Sequence, residues 1–322
     1  MIPEKNGIYL RNMMNARNGD IISIPKYAIG DQDNPEGKKI NCNWIALEFM
    51  NGLAKANAMD AATMRKTGRP EYYNINKLLK YSKTPGVKIF LVNNIIGSDP
   101  ATEAKLFLKR FAYLTDRSAL GGIIVRITSD YTKRTVNSAI VYMEAIKACG
   151  MQIGFWGDSS VPVGILKEFI SRSNFTLGNV FWNPEERPYT GLVRSYLFWN
   201  NLNVQNYIPV VYFYGIGTYR FKPKAVNEYY TSLMQTDINA HMWYCWDPDK
   251  KYGPGLEGSM DIRKTLFQSI WTREIAPVTT TPTTPPDSTT PGDGDTMPDP
   301  ADELTTEQKL AILWQDYLDR SK

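Results

Sequence analysis

Residues 122–128 read Gly122-Ile123-Ile124-Val125-Arg126-Ile127-Thr128, and residues 152–156 read Gln152-Ile153-Gly154-Phe155-Trp156. Between them lies a helix-length stretch, 135–149, that stops at Gly150, a residue suited to a C-cap. Two strand-length apolar runs joined by one helix within about 30 residues are the signature of a βαβ unit with parallel strands. Every further element is read outward from this unit.

The same rhythm continues in both directions. Strand-length runs fall at 7–12, 44–49, 87–93, 122–128, 152–156, 179–183, 208–213 and 240–246. From the third onward their starts recur about every 30 residues, the length of a strand, a helix and two loops. Helix-length stretches fit 99–114, 163–171, 191–201, 223–234 and 262–271, the first with Ala104, Phe107, Leu108, Phe111 and Leu114 on one face. An open doubly wound sheet has fewer strands and a glycine-rich first turn, which is missing here. The expected fold is therefore α/β, a (β/α)8 TIM barrel over 1–275. Residues 13–43, rich in Asn, Gly, Asp and Lys, carry no convincing helix and are expected to form a long loop or a small β insertion.

At Ala276 the composition turns to Pro, Thr, Asp and Gly, which cannot bury a core, so 276–303 is expected to be a semi-stiff linker. Beyond it, Thr305-Thr306-Glu307-Gln308 resembles a capping box, and Leu310, Leu313, Trp314, Tyr317 and Leu318 share a helical face. The expected amphipathic helix, 304–322, is marginal alone. Docking on the barrel, binding a protein partner and self-association all remain open for it.

Composition narrows the chemistry. The net charge of +4 comes from scattered basic residues, giving no footprint of a nucleic-acid binder. No apolar stretch approaches the roughly 20 residues needed to cross a bilayer, so no membrane partner is expected. Met1-Ile2-Pro3-Glu4-Lys5-Asn6 does not open a secretory signal. The expected product stays in the cytoplasm until released, or is virion-associated. Cys42, Cys149 and Cys245 are odd in number and far apart, which reads as three free thiols. His241 is the only histidine, so zinc sites and Ser-His or Cys-His machinery are disfavoured and acid-base work falls to carboxylates. Gly215-Ile216-Gly217 is too short for a phosphate loop, and no cofactor is expected.

In this fold functional groups gather at the C-terminal strand ends. Strand parity then places inward Arg11, Glu48, Arg126 with Thr128, Trp156 with Asp158, Asn183 with Glu185, Tyr212 with Tyr214, and Trp243 with Cys245 and Asp247. Tyr244 and Trp246 are expected under the helices by the same alternation. The mixture suits a polysaccharide: aromatic faces stack on sugar rings, amides and Arg bind hydroxyls, and two carboxylates act as acid and as base or nucleophile. Asp158 and Glu185 are the leading catalytic pair, with Glu48 as substitute. Arg126, Trp156, Asn183, Tyr212, Tyr214, Trp243 and Asp247 are the candidate substrate-binding residues. Glu48 paired with Arg126 or Arg11 as a structural ion pair is the competing reading.

The order of helix, strand, helix and strand from Asp99 through Phe155, and the closing Trp243-Tyr244 followed by Gly255, Gly258 and Asp261, resembles family 25 glycoside hydrolases, the lysozyme family common among phage endolysins. The resemblance covers about half the chain. It implies a barrel acting on bacterial cell-wall polysaccharide. Where that family has a catalytic Asp-x-Glu strand, this chain has Arg126-Ile127-Thr128; where it has an early Asp after Gly-Ile, this chain has Tyr9 after Gly7-Ile8. No catalytic residue carries over, and a barrel that binds glycan or serves as a virion structural component without turnover is the alternative.

Overall fold

The computed structural model describes residues 1–13, 16–29, 41–51, 54–56, 73–181, 187–212, 223–246 and 271. Eight parallel strands close into a barrel: β1 (Lys5–Leu10), β2 (Trp44–Asn51), β4 (Lys88–Asn94), β5 (Leu120–Arg126), β6 (Ile153–Gly157), β7 (Phe175–Val180), β8 (Tyr207–Tyr212) and β9 (Ala240–Tyr244). Closure is direct, because β1 pairs with β2 on one side (Gly7 opposite Trp44) and with β9 on the other (Tyr9 opposite Tyr244). A three-residue strand, β3 (Ala54–Ala56), adds antiparallel to the end of β2.

The helices are α1 (Ser23–Ile29), α2 (Tyr73–Ser82), α3 (Pro100–Phe111), α4 (Val136–Ile146), α5 (Val163–Ser171), α6 (Pro188–Asn200) and α7 (Pro223–Met234). Their ends follow local chemistry. Asp99 accepts the Thr102 N–H and Pro100 opens α3, while Thr135 accepts the Ser138 N–H ahead of α4. Past α4 a short 3-10 turn, Lys147–Cys149, ends on Gly150 in the left-handed region at φ 65°.

The barrel matches the sequence expectation at all eight strands, with boundaries displaced by a few residues. Two elements differ. Part of the stretch expected to be loop or β insertion forms α1, whose Ile24 and Ala28 are fully buried, and α2 precedes β4 where no helix was read. Packing decides both, because Ile75, Leu78 and Leu79 of α2 join the same core despite a polar overall composition. The expected linker at 276–303 and terminal helix at 304–322 lie outside the described residues. The three cysteines are free thiols, and among the described residues no helix is long and apolar enough to cross a membrane.

Two apolar layers result. An outer one between strands and helices holds Ile8, Leu47, Leu91, Val125, Phe155 and Trp243 among others. An inner one fills the barrel itself. Its lower end is plugged by Trp44, Phe90 and Phe175, packed edge to face at 5.5 and 5.8 Å between ring centres. Room for these rings comes from missing side chains: a Cβ on Gly7 would lie 2.0 Å from the Trp44 indole, and one on Gly154 would lie 2.1 Å from Phe175.

The loop after β4 is fixed from below. Buried Glu103 on α3 accepts the Gly97 N–H at 3.1 Å and the Ile96 N–H at 3.3 Å, and Gly97 sits at φ 70° directly over the Tyr131 ring. Burial pushes the Glu103 carboxyl up, against the pull of those donors and of Arg134.

Candidate functional site

At the upper end of the inner apolar layer, each of the eight barrel strands contributes one polar or aromatic side chain near its C-terminal end, the aromatic ones being part of that layer. They are Tyr9, Glu48, Asn94, Arg126, Trp156, Asn179, Tyr212 and Tyr244. Contacts join all eight. Tyr9 donates its hydroxyl to Glu48 Oε2, which also accepts from Asn94 Nδ2 at 3.1 Å. Arg126 Nη1 donates to the Tyr9 oxygen at 3.4 Å. Trp156 Nε1 and the Tyr212 hydroxyl both donate to Asn179 Oδ1, at 2.8 and 3.3 Å. Tyr244 stacks on Tyr9 at 5.0 Å between ring centres and packs against Tyr212 at 4.4 Å.

Arg126 occupies the centre of this ring. Its guanidinium carbon stands 4.1 Å from the centre of the Trp156 ring, 5.5 Å from that of Tyr9 and 5.7 Å from that of Tyr244. Such placement over aromatic faces stabilises a cation. Burial opposes the charge, yet Tyr9, Tyr212, Tyr244 and Glu48 more than offset it and raise the pKa. Burial, reinforced by the Glu48 charge, also holds the Tyr9 phenol protonated far above the usual tyrosine range, with Arg126 pulling the other way.

Beside the ring a cleft of about 210 Å³ opens between the ends of β6 and β7 and α6. Ser159, Asn179, Phe181, Arg194 and Trp199 line it. Phe181 is 51% exposed and stacks on Tyr212 at 4.9 Å, which extends the aromatic surface outward from the barrel mouth. Among the described residues no three His, Cys, Asp or Glu side chains gather where they could share a metal ion.

Of the residues chosen from sequence, Glu48, Arg126, Trp156 and Tyr212 belong to the ring. Glu48 and Arg126 form no ion pair with each other; Glu48 is held by Tyr9 and Asn94 instead. Asp158, just past β6, accepts from the Ser160 N–H at 2.9 Å and hydroxyl at 2.7 Å, a local turn. Thr128 is exposed at the start of a 3-10 turn, and Arg11 follows the last residue of β1. Asn183, Glu185, Tyr214 and Asp247 lie outside the described residues.

Trp243 is corrected. It is fully buried in the outer layer, 4.4 Å from His241 and 5.8 Å from Tyr229 between ring centres, and does not face the barrel mouth. β9 sets Tyr244 beside the inward Tyr9 and Trp243 beside the outward Ile8, so Ala240, Met242 and Tyr244 turn inward and Trp243 fills the space under α7. Tyr244 is therefore the interior aromatic, opposite to expectation, whereas Trp246 does pack outside, 5.8 Å from Tyr27. Cys245, next beyond the strand end, clusters with the inner layer as expected.

Tyr9, Asn94, Asn179, Tyr244 and Phe181 were missed. Parity from Arg11 reaches Tyr9, and parity from Asn183 reaches Asn179, so both were legible once the strand ends were set two and three residues earlier. Asn94 is the last residue of β4, one past the strand end read from sequence.

With this geometry in hand, solved structures give the comparison. The TIM-barrel fold is shared with several solved glycoside hydrolases. A chitinase from Ipomoea carnea matches with a TM-score of 0.53 at 15% identity, over 83% of this chain and 100% of that one. The catalytic domain of a hyperthermophilic chitinase from Pyrococcus furiosus matches with a TM-score of 0.54 at 10% identity, over 85% and 98%. A β-galactosidase from the psychrophilic Marinomonas ef1 matches with a TM-score of 0.56 at 7% identity, over 82% and 58%. At such identities the likeness concerns the fold alone. No protein-family model matches the chain, and no curated protein matches it in sequence.

Proposed function

We propose that this barrel binds a polysaccharide across its C-terminal mouth, and that bacterial cell-wall glycan is the class it serves. The ring and the aromatic beside it carry the reading: Phe181 supplies an open flat face over a buried bed of Tyr212, Tyr244 and Trp156, and the half-buried Asn179, Arg126 and Glu48 supply donors and acceptors near it. That combination fits a sugar, which presents C–H faces and a hydroxyl rim. The resemblance to family 25 glycoside hydrolases supports the cell-wall choice, and the likeness to chitinase and galactosidase barrels supports a carbohydrate.

Binding is favoured over turnover by the chemistry of the ring. Glycoside hydrolysis ordinarily needs two carboxylates flanking the bond. Glu48 is the only one among the eight ring residues, and Arg126 stands where the resembling family places an acid. A hydrolytic second reading rests on Glu48 itself, a half-buried carboxylate primed by Tyr9, with Asp158 or Glu185 as its partner.

The test is to incubate the full chain with peptidoglycan and a panel of purified polysaccharides, measuring retention and release of new reducing ends. Retention without new ends is the expected result. New ends that vanish in Glu48→Gln would establish the hydrolase, and failure to retain any glycan would overturn both readings.

A further inference from the structure

Resting on the glycan-binding reading, we infer that the sugar held at the barrel mouth is an acidic one, whose carboxylate is gripped by Arg126. Three observations on the guanidinium converge. Its one hydrogen bond is the long contact to Tyr9, which uses one of five N–H donors. Among the described residues no carboxylate lies close enough to form an ion pair with it. Its surroundings are the faces of Trp156, Tyr9 and Tyr244, low in dielectric and poor in acceptors.

Glu48, the ring's own carboxylate, helps to hold this charge through space but makes no ion pair with it. Its Oε2 takes the Tyr9 hydroxyl and the Asn94 amide, an arrangement that holds it to the β1 and β4 side of the mouth. Arg126 is half-buried, so its remaining donors reach the opening. Held charged by its surroundings and with donors unspent, the guanidinium can take a planar carboxylate, which matches its fork with two parallel hydrogen bonds. The low dielectric around the fork strengthens that contact relative to one made in water.

The ring geometry fixes what carries the carboxylate. Trp156 lies under the guanidinium and is tied through Asn179 to Tyr212, on which Phe181 stacks. An acid group on Arg126 thus leaves its own sugar ring on the side of the mouth where this buried aromatic chain surfaces at Phe181. A uronic acid or another carboxylated sugar within a longer chain meets both requirements; an isolated small anion meets only the first.

The experiment compares acidic oligosaccharides with carboxyl-reduced forms of the same chains, using hyaluronan, oligogalacturonate and oligosialate fragments with chitotetraose as a neutral control. Binding to the full chain is followed by calorimetry. At least one acidic series is expected to bind about tenfold or more tightly than its reduced counterpart, with affinity falling as salt rises. Arg126→Gln should abolish the preference, and Arg126→Lys, which keeps the charge and loses the fork, should restore only part of it.

Equal affinity for acidic and reduced forms in the unmodified protein overturns the inference while leaving the glycan reading intact, as does preference for chitotetraose. Binding of sulfated but not carboxylated chains overturns the carboxylate assignment. Absence of binding to every one of these chains overturns the inference, and absence of binding to peptidoglycan, run alongside, overturns the glycan reading with it. The comparison needs no variant, so a misfolded Arg126→Gln protein leaves it decisive.

Discussion

His241 Nε2 donates to Asn6 Oδ1 at 2.9 Å, joining the last barrel strand to the first across 235 positions of sequence. Tyr230 of α7 donates to the same oxygen at 3.2 Å, which makes that oxygen an acceptor and places the histidine proton on Nε2. Burial lowers the His241 pKa to about 3 from the ordinary 6.5. The neighbouring Tyr229, Tyr230, Trp243 and Trp271 rings carry no charge at neutral or acid pH.

This pair sets an acid limit on the fold. Above pH 6.5 the imidazole is neutral folded or unfolded; below it the unfolded chain takes up a proton that the folded one refuses, so stability falls as pH drops from 6.5 toward 3. The expected loss is about 2 kcal/mol at pH 5. Urea melts between pH 8 and 5 should show it, and His241→Gln should flatten that part of the curve. An unchanged slope in the variant would contradict the assignment.

The plugged lower end of the barrel makes Gly7 indispensable. Gly7→Ala drives a methyl into the Trp44 indole between paired strands and should cost about 3 kcal/mol in denaturant melts. Gly150→Ala, at φ 65° with open space around it, meets only backbone strain and should cost about 1 kcal/mol. The reverse order would mean that the interior packing is misassigned.

Tyr9 links Glu48 to Arg126 through one hydroxyl. Tyr9→Phe should lower stability by about 1–3 kcal/mol, since it strips a donor from a half-buried carboxylate. In a double-mutant cycle with Glu48→Gln the two changes should be coupled by about 1 kcal/mol or more. Additive effects would show that the two groups do not interact.

Phe181 offers the cleanest separation of binding from folding. Being 51% exposed, it contributes little to the core, so Phe181→Ala should leave the melting midpoint nearly unchanged. Glycan affinity should nevertheless fall about tenfold, as expected for loss of an aromatic contact face. Unaltered affinity would remove Phe181 from the sugar contacts.

Asp158 presents the opposite case. Its carboxylate already serves the turn at Ser160, so Asp158→Ala should cost about 1 kcal/mol of stability and Ser160→Ala should reproduce it. Glycan affinity should stay within about twofold. A sharp loss of affinity at unchanged stability would instead place Asp158 among the ligand contacts.

The barrel was legible because a parallel strand covered on both faces is an apolar run, and eight such runs recur at a spacing that only a closed βα repeat explains. Glu48, Arg126, Trp156 and Tyr212 were legible for a related reason: polar or aromatic groups near the ends of apolar strands have few places to go but the mouth. Trp243 and Tyr244 defeated the same rule although the strand start at Ala240 was read correctly, because both are large aromatics and the choice between them is made by the register of β9, which sets Tyr244 beside Tyr9 and Trp243 beside Ile8. A one-residue shift in that register exchanges the two faces. The α1 and α2 helices escaped notice because their stability comes from the surface they cover, which the local sequence does not display.

Trp44, Phe90 and Phe175 close the floor beneath the ring. Nothing can be threaded through this barrel from one end to the other, and a molecule that enters its mouth departs by the same door.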